Sequence, residues 1–133
     1  FSTAQEKQLG VLIKQRYGID LYIVDRFMLS ARPFYTMLDG TDGETRSYDM
    51  YLRGEEICSG AQRLHDPEML QKRAAECGVN TELIKDYVDS FRYGAWPHGG
   101  FGLGMERVVM FFLGLKDIRQ VALFARDPRR ITP

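Results

Sequence analysis

RGEEICSGAQR, residues 53 to 63, is the stretch on which the fold turns. Two adjacent carboxylates, Glu55 and Glu56, stand between Arg53 and Arg63, with Ser59 and Gly60 in the middle. Together with its flanks, Tyr48 to His65 reads as one long strand, or as two strands around a break at Ser59–Gly60. One account of so much charge is a solvated edge strand whose charges block edge-to-edge pairing. A chemical account is also open. Ser59–Gly60 lets backbone or ligand come close. Arg63, after small residues, can reach into a cavity and grip a carboxylate with both arms of its guanidinium. Glu56 and Ser59 offer hard oxygens, which suit Mg²⁺, an ion that keeps water and phosphate as its other ligands. A metal beside a carboxylate-binding arginine fits a site that joins an acid to a nucleotide. Side chains alternate along a strand, so residues 56 and 59 share a side only if a bulge or kink falls between Glu56 and Gly60.

The second candidate is HGGFGLGMER, residues 98 to 107. Its glycines permit close backbone approach at the start of a helix, where free amides and the dipole attract anions. Arg107 falls in the first turns of that helix and can stack on a base or bind phosphate. The glycine spacing does not make a dinucleotide fingerprint, which needs a preceding βαβ context and an acidic residue about twenty positions on. A packing loop is the plainer reading. His65 and His98 read as structural, and neither stands in metal-ligand spacing with Cys58 or Cys77.

Outward from these segments, residues 2 to 18 read as a helix. Thr3 with Glu6 forms its capping box, or Ser2 with Gln5, and Gly18 closes it. LYIVDRF, 21 to 27, reads as a buried strand. Pro33 argues against a central strand in SARPFYTML, and DGTDGETRS, 39 to 47, is a turn or exposed loop. Asp66–Pro67 opens a helix that ends at Gly78. Residues 80 to 94 form another, and MERVVMFFLG a short apolar one. AWPHGGFGLG is a glycine-rich loop with room for a strand running into it, and QVALFARD is a last short strand. The arginines of the final run, 119, 126, 129 and 130, suit either RNA phosphate or water. No regular β-α-β-α alternation appears, so the class is α+β, an antiparallel or mixed sheet with flanking helices.

The chain has 133 residues, 44% hydrophobic and 12% aromatic, enough for the core of one domain. Its formal net charge is zero, so contact with a polyanion needs a local patch. Two cysteines make neither a disulfide framework nor a zinc site, and a reducing, intracellular setting is the simplest expectation. No apolar run approaches the ~20 residues that span a bilayer. FSTAQEKQLG lacks the apolar region of a signal peptide, and a start at Phe1 is expected of a piece cut from something longer.

RPFYTM, YDMYLRGEEICSGAQRLHDP, DSFRYGAWPHGGFGLGMERVVMFFLGLKDIRQ and FARDPRRITP, in that order, resemble the catalytic domain of class II aminoacyl-tRNA synthetases, in particular the aspartyl-tRNA synthetases of eukaryotic and archaeal type. The resemblance covers essentially the whole chain. It implies that Glu56 binds Mg²⁺ and ATP, that Ser59 contributes to the metal and aspartate sites, and that Arg63 clamps the substrate's side-chain carboxylate. Gly104, Met105, Glu106 and Arg107 match the family's motif 3, an ATP-binding segment whose arginine stacks on adenine. Glu56 and Arg107 are then the catalytic candidates, and Glu55 has no assigned role. Two positions depart from the pattern: Phe101 stands where many members carry Gly, and Ala125 where many carry Pro.

The resemblance implies that residues 1–133 are the C-terminal portion of the catalytic core. The family's motifs 1 and 2 and its anticodon-binding domain would lie upstream of Phe1. The implied parent is a cytoplasmic homodimer, with no membrane segment, that activates L-aspartate with ATP and Mg²⁺ and charges tRNA(Asp). The fragment alone is expected to be inactive. An asparaginyl-tRNA synthetase, an asparagine-synthetase-like paralogue and a non-catalytic binding module are the alternatives. SGAQR favours aspartate, and the presence of Glu56, Ser59, Arg63 and Arg107 favours catalysis.

Overall fold

The structure is a computed structural model that describes residues 2–40 and 42–132. Thr41, in the loop expected over 39 to 47, lies outside the described residues, as do Phe1 and Pro133. Four strands make one antiparallel sheet in chain order: β1 (Leu21–Asp25), β2 (Ser47–Leu52), β3 (Glu55–Gln62) and β4 (Gly99–Leu103). Four α-helices accompany them: α1 (Thr3–Tyr17), α2 (Pro67–Glu76), α3 (Lys85–Arg92) and α4 (Met105–Phe112). The class is α+β, as the sequence implies. Two compact units are present. One comprises the residues up to Tyr22, Met50–Cys58 and those from Leu103 on; the other comprises Ile23–Asp49 and Ser59–Gly102.

In the first unit, the Ser2 side chain accepts from the Gln5 amide while the Ser2 amide donates to Gln5 Oε1, so the capping box uses Ser2 rather than Thr3. The chain reverses between β2 and β3 at Arg53–Gly54, with φ of 55° and 79°. Those two left-handed residues form the kind of two-residue turn that suits the twist of a hairpin. The break expected at Ser59–Gly60 is therefore six residues too late. Arg53 is held in its left-handed conformation by a hydrogen bond that its amide donates to the Asp20 carbonyl (2.9 Å) and by an ion pair with the Asp20 carboxylate (3.8 Å). Helix α1 crosses the turn backbone against backbone: a Cβ on Gly10 would stand 2.6 Å from the Gly54 Cα, and one on Gly54 would stand 2.8 Å from the Lys7 Cα. Tyr22 stacks on Tyr51 at 5.4 Å.

β1 lies at one end of the strand order and is not buried as expected: Leu21 and Ile23 are 48% and 58% exposed. QVALFARD forms no strand either. A 3₁₀ turn at Ile118–Gln120 precedes it, and the Arg119 guanidinium ties Asp117 (2.7 Å) to Asp127 (2.9 Å) in place of sheet pairing.

The second unit holds the main apolar cluster. Leu64, Leu70, Val88 and Phe91 are buried, with Phe34, Tyr35, Met37, Ile84 and Tyr87 packed on them. Asp66 caps α2 by accepting from the Met69 amide (2.8 Å). The helix expected over 80 to 94 is split into a 3₁₀ turn, Thr81–Ile84, and α3.

β3 carries one more residue than β2 over the same length. From the two-residue turn, β3 takes seven steps from Glu55 to Gln62 while β2 takes six from Leu52 to Arg46, yet the Gln62 amide donates to the Arg46 carbonyl (2.9 Å). An extra residue on one strand is a bulge. Ile57 and Cys58, buried in succession at 9% and 3% exposure, mark its place, since strict alternation would turn one of them outward.

Candidate functional site: an arginine-lined cavity and a helix-start arginine

In the second unit, β3 and β4 and the segment before β2 enclose a cavity of about 290 Å³. Ser59 and Gly60 line it from β3, Arg63 from just past the end of that strand, Gly100 and Gly102 from β4, and Arg32, Tyr35 and Thr36 from the third side. Arg63 is fixed at its backbone, where its amide donates to the His98 carbonyl (3.0 Å). Its guanidinium lies 5.6 Å from the centre of the Tyr35 ring. Gly100 makes room for it: a Cβ there would stand 2.5 Å from Nη2 and 2.9 Å from Cζ. Arg63 forms no ion pair with a carboxylate among the described residues. Nearby, burial pushes the Tyr87 hydroxyl above its ordinary pKa, and the positive charge of Arg63 offsets part of that rise.

Ser59 is held by Arg32, whose Nη1 donates to its Oγ at 2.9 Å. The same guanidinium pairs with Asp49 on β2 (2.7 Å) and its Cζ lies over the Phe27 ring, 3.9 Å from its centre. Asp49 is buried because β2 alternates, with Ser47, Asp49 and Tyr51 inward and the residues between them less so. Arg32, Asp49, Tyr35, Thr36 and Gly100 are contributors that sequence reasoning did not single out. One signal was available: an aspartate in the inward register of a strand needs a buried cation.

In the first unit, the Gly104 amide donates to the Ile57 carbonyl (2.9 Å), which sets the start of α4 beside β3. Met105 and Glu106 occupy the exposed first turn. Arg107 follows them, and its Nη1 donates to the Glu56 backbone carbonyl. The structure thus brings Glu56 together with Gly104 and Arg107 in one unit, and Ser59 together with Arg63 in the other. His98 stacks on Phe91 at 5.5 Å, a packing role, as expected.

No group of three or more His, Cys, Asp or Glu able to hold a metal exists among the described residues. Mg²⁺ in a nucleotide site needs only one or two protein oxygens, with phosphates and water completing the shell. Glu56 supplies a carboxylate of the right chemistry. The Ser59 hydroxyl has one lone pair engaged by Arg32 and one remaining.

The family model for tRNA synthetases class II (D, K and N) matches residues 1–128. The cytoplasmic aspartate–tRNA ligase of Homo sapiens is 56% identical over 133 residues, which is 99% of this chain and 26% of that protein. An aspartyl-tRNA synthetase from Entamoeba histolytica superposes with a TM-score of 0.94 at 54% identity, covering 100% of this chain and 28% of that one. The asparaginyl-tRNA synthetase of Pyrococcus horikoshii superposes with a TM-score of 0.87 at 34% identity, covering 100% of this chain and 31% of that one. The chain therefore spans about a quarter of the length of the curated relatives it matches. With its antiparallel sheet, its arginine-lined cavity and its helix-start arginine, the chain belongs to the class II tRNA synthetases of the D, K and N group.

Proposed function

We propose that this chain is part of an aspartate–tRNA ligase, in the C-terminal portion of its catalytic domain. The full-length protein activates L-aspartate with ATP to aspartyl-adenylate and transfers it to tRNA(Asp). The observation that carries the reading is Arg63, a guanidinium at the wall of a cavity, seated by Gly100 and in no ion pair with a carboxylate among the described residues. A substrate carboxylate is the natural counter-ion, because guanidinium and carboxylate match in shape and charge. Asparagine offers an amide there and lysine a like charge. The higher identity to aspartate enzymes than to the asparaginyl enzyme supports the same choice.

Arg107 takes the adenine and Gly104, Met105 and Glu106 form the backbone and first turn beside it, with ATP as substrate. Glu56 would hold Mg²⁺; the ion would supply charge neutralisation at the phosphates. Glu56 and Arg107 are the catalytic candidates, and Ser59 and Arg63 bind aspartate. The relatives are named as cytoplasmic, and no helix among the described residues is long and apolar enough to cross a membrane. A cytoplasmic homodimer is the proposed state of the full-length protein. The test is ATP–pyrophosphate exchange by that protein with aspartate, asparagine and lysine in turn. Exchange with aspartate alone is expected; exchange driven by asparagine or lysine and not by aspartate overturns the assignment.

A further inference from the structure

We propose that Arg32 is a positioning residue of the amino-acid pocket and acts through Ser59; this rests on the reading of that pocket given above. The Arg32 guanidinium is fixed from three directions at once. Asp49 Oδ2 holds it by charge at 2.7 Å, the Phe27 ring supports its face at 3.9 Å, and Ser59 Oγ accepts from Nη1 at 2.9 Å. The side chains of Arg32 and Asp49 are 11% and 8% exposed, so the pair is almost wholly out of water. A buried ion pair contributes little net stability compared with apolar residues of the same volume, and fold stability alone gives no reason for one here.

Its consequence for the pocket is specific. A serine hydroxyl rotates freely about its Cβ–Oγ bond unless a partner fixes it. With one lone pair taken by a guanidinium that cannot move, the hydroxyl proton and the second lone pair are left in set directions beside the cavity. Arg32 is neutralised by Asp49, so the positive charge offered to a substrate is that of Arg63 alone. Arg32 shapes, and Arg63 attracts.

The experiment uses the full-length protein and a double-mutant cycle on the KM of the amino acid that the wild type activates. The variants are Arg32→Lys, Ser59→Ala and both together. Lysine keeps the charge beside Asp49 but cannot reach carboxylate and hydroxyl with two fixed arms. Arg32→Lys is expected to raise the amino-acid KM about tenfold or more, the worth of one hydrogen bond to a charged group, and to leave the KM for ATP unchanged. The double variant is expected to be no worse than the more impaired single variant, because both changes remove one contact. An unchanged amino-acid KM in a folded Arg32→Lys protein, or effects that multiply in the double variant, overturns the proposal. Where Arg32→Lys fails to fold, Asp49→Asn serves in its place, since it removes the charge that pins Arg32 with little change of shape. The same selective rise supports the proposal, and an unchanged KM overturns it. If the wild type activates an amino acid other than aspartate, the assignment of substrate fails, while the cycle, run with that amino acid, still decides the role of Arg32.

Discussion

Gly100 and Arg63 fit each other as space and occupant: the guanidinium lies where a side chain on residue 100 would begin. The clash is with the far end of a flexible side chain, so Gly100→Ala displaces the guanidinium and leaves the sheet intact. A misplacement of about 1 Å can cost 10²-fold in a catalytic site. The expected outcome is a melting temperature close to that of the wild type with an aspartate KM raised at least tenfold. A KM equal to wild type would mean that Arg63 does not clamp the substrate.

Arg63→Leu removes the cation itself. A carboxylate left buried without its partner costs roughly 3–5 kcal/mol, about two to three and a half decades in affinity. Aspartate-dependent pyrophosphate exchange by the full-length variant should fall to background while ATP binding, followed by fluorescence or calorimetry, is kept. Parallel loss of both would point to a folding defect instead.

Arg107 should show the opposite selectivity. Arg107→Ala removes a planar cation worth roughly 2 kcal/mol against an aromatic base, about thirtyfold. The KM for ATP is expected to rise by that order with the aspartate KM little changed. Steady-state exchange with each substrate varied in turn separates the two, and a rise confined to aspartate would remove Arg107 from the nucleotide site.

Acid stability should depend on Asp89. Hydrogen bonds from Lys85 and Arg92, each 2.6 Å, hold its carboxyl below the ordinary value. A lowered folded pKa means that the unfolded chain takes up the proton first. The stabilisation is therefore complete above about pH 4 and is lost as the pH falls through the folded value. Asp89→Asn should unfold more readily than wild type at neutral pH and lose less on going from pH 5 to pH 2. Thermal melts across that range check it, and an identical acid limb in the two proteins argues against the linkage.

The 133 residues alone are expected to make no aspartyl-adenylate at a useful rate. Adenylate formation places charge on the α-phosphate and the leaving pyrophosphate, and fixed cations stabilise it. Removing one such preorganised donor typically costs about 10²–10³ in rate. Among residues assigned to ATP, this chain supplies one arginine, and it spans 26% of its relatives. Exchange by the purified chain within tenfold of the full-length protein would show that nothing further is needed.

The sequence was most legible where spacing and chemistry coincide. The cap at Asp66 and the strand that bears Ser59 and ends just before Arg63 follow from residue type and local rules. The turn at Arg53–Gly54 was missed because the common two-residue hairpin signal is Asn-Gly or Asp-Gly, and an arginine at positive φ is tolerated here only through its bonds to Asp20. QVALFARD has the composition of a strand, yet Arg119 binds Asp117 and Asp127 there and the segment joins no sheet among the described residues. Composition reports what a segment tolerates; pairing depends on residues far away. Arg32 and Asp49 stayed hidden for the same reason, since they stand seventeen residues apart and only folding joins them.

The contact of Gly10 with Gly54 carries a consequence for variation. Most packing conflicts can be repaired by shrinking the opposing residue, and here the opposing residue is already the smallest. Backbone meets backbone from both sides, so neither position can yield to a larger neighbour. A methyl group at residue 10 must therefore push helix α1 off the hairpin, and no second substitution at 54 relieves it. The pair should behave as a ratchet in the history of such chains: once two glycines have closed this gap, each keeps the other from changing.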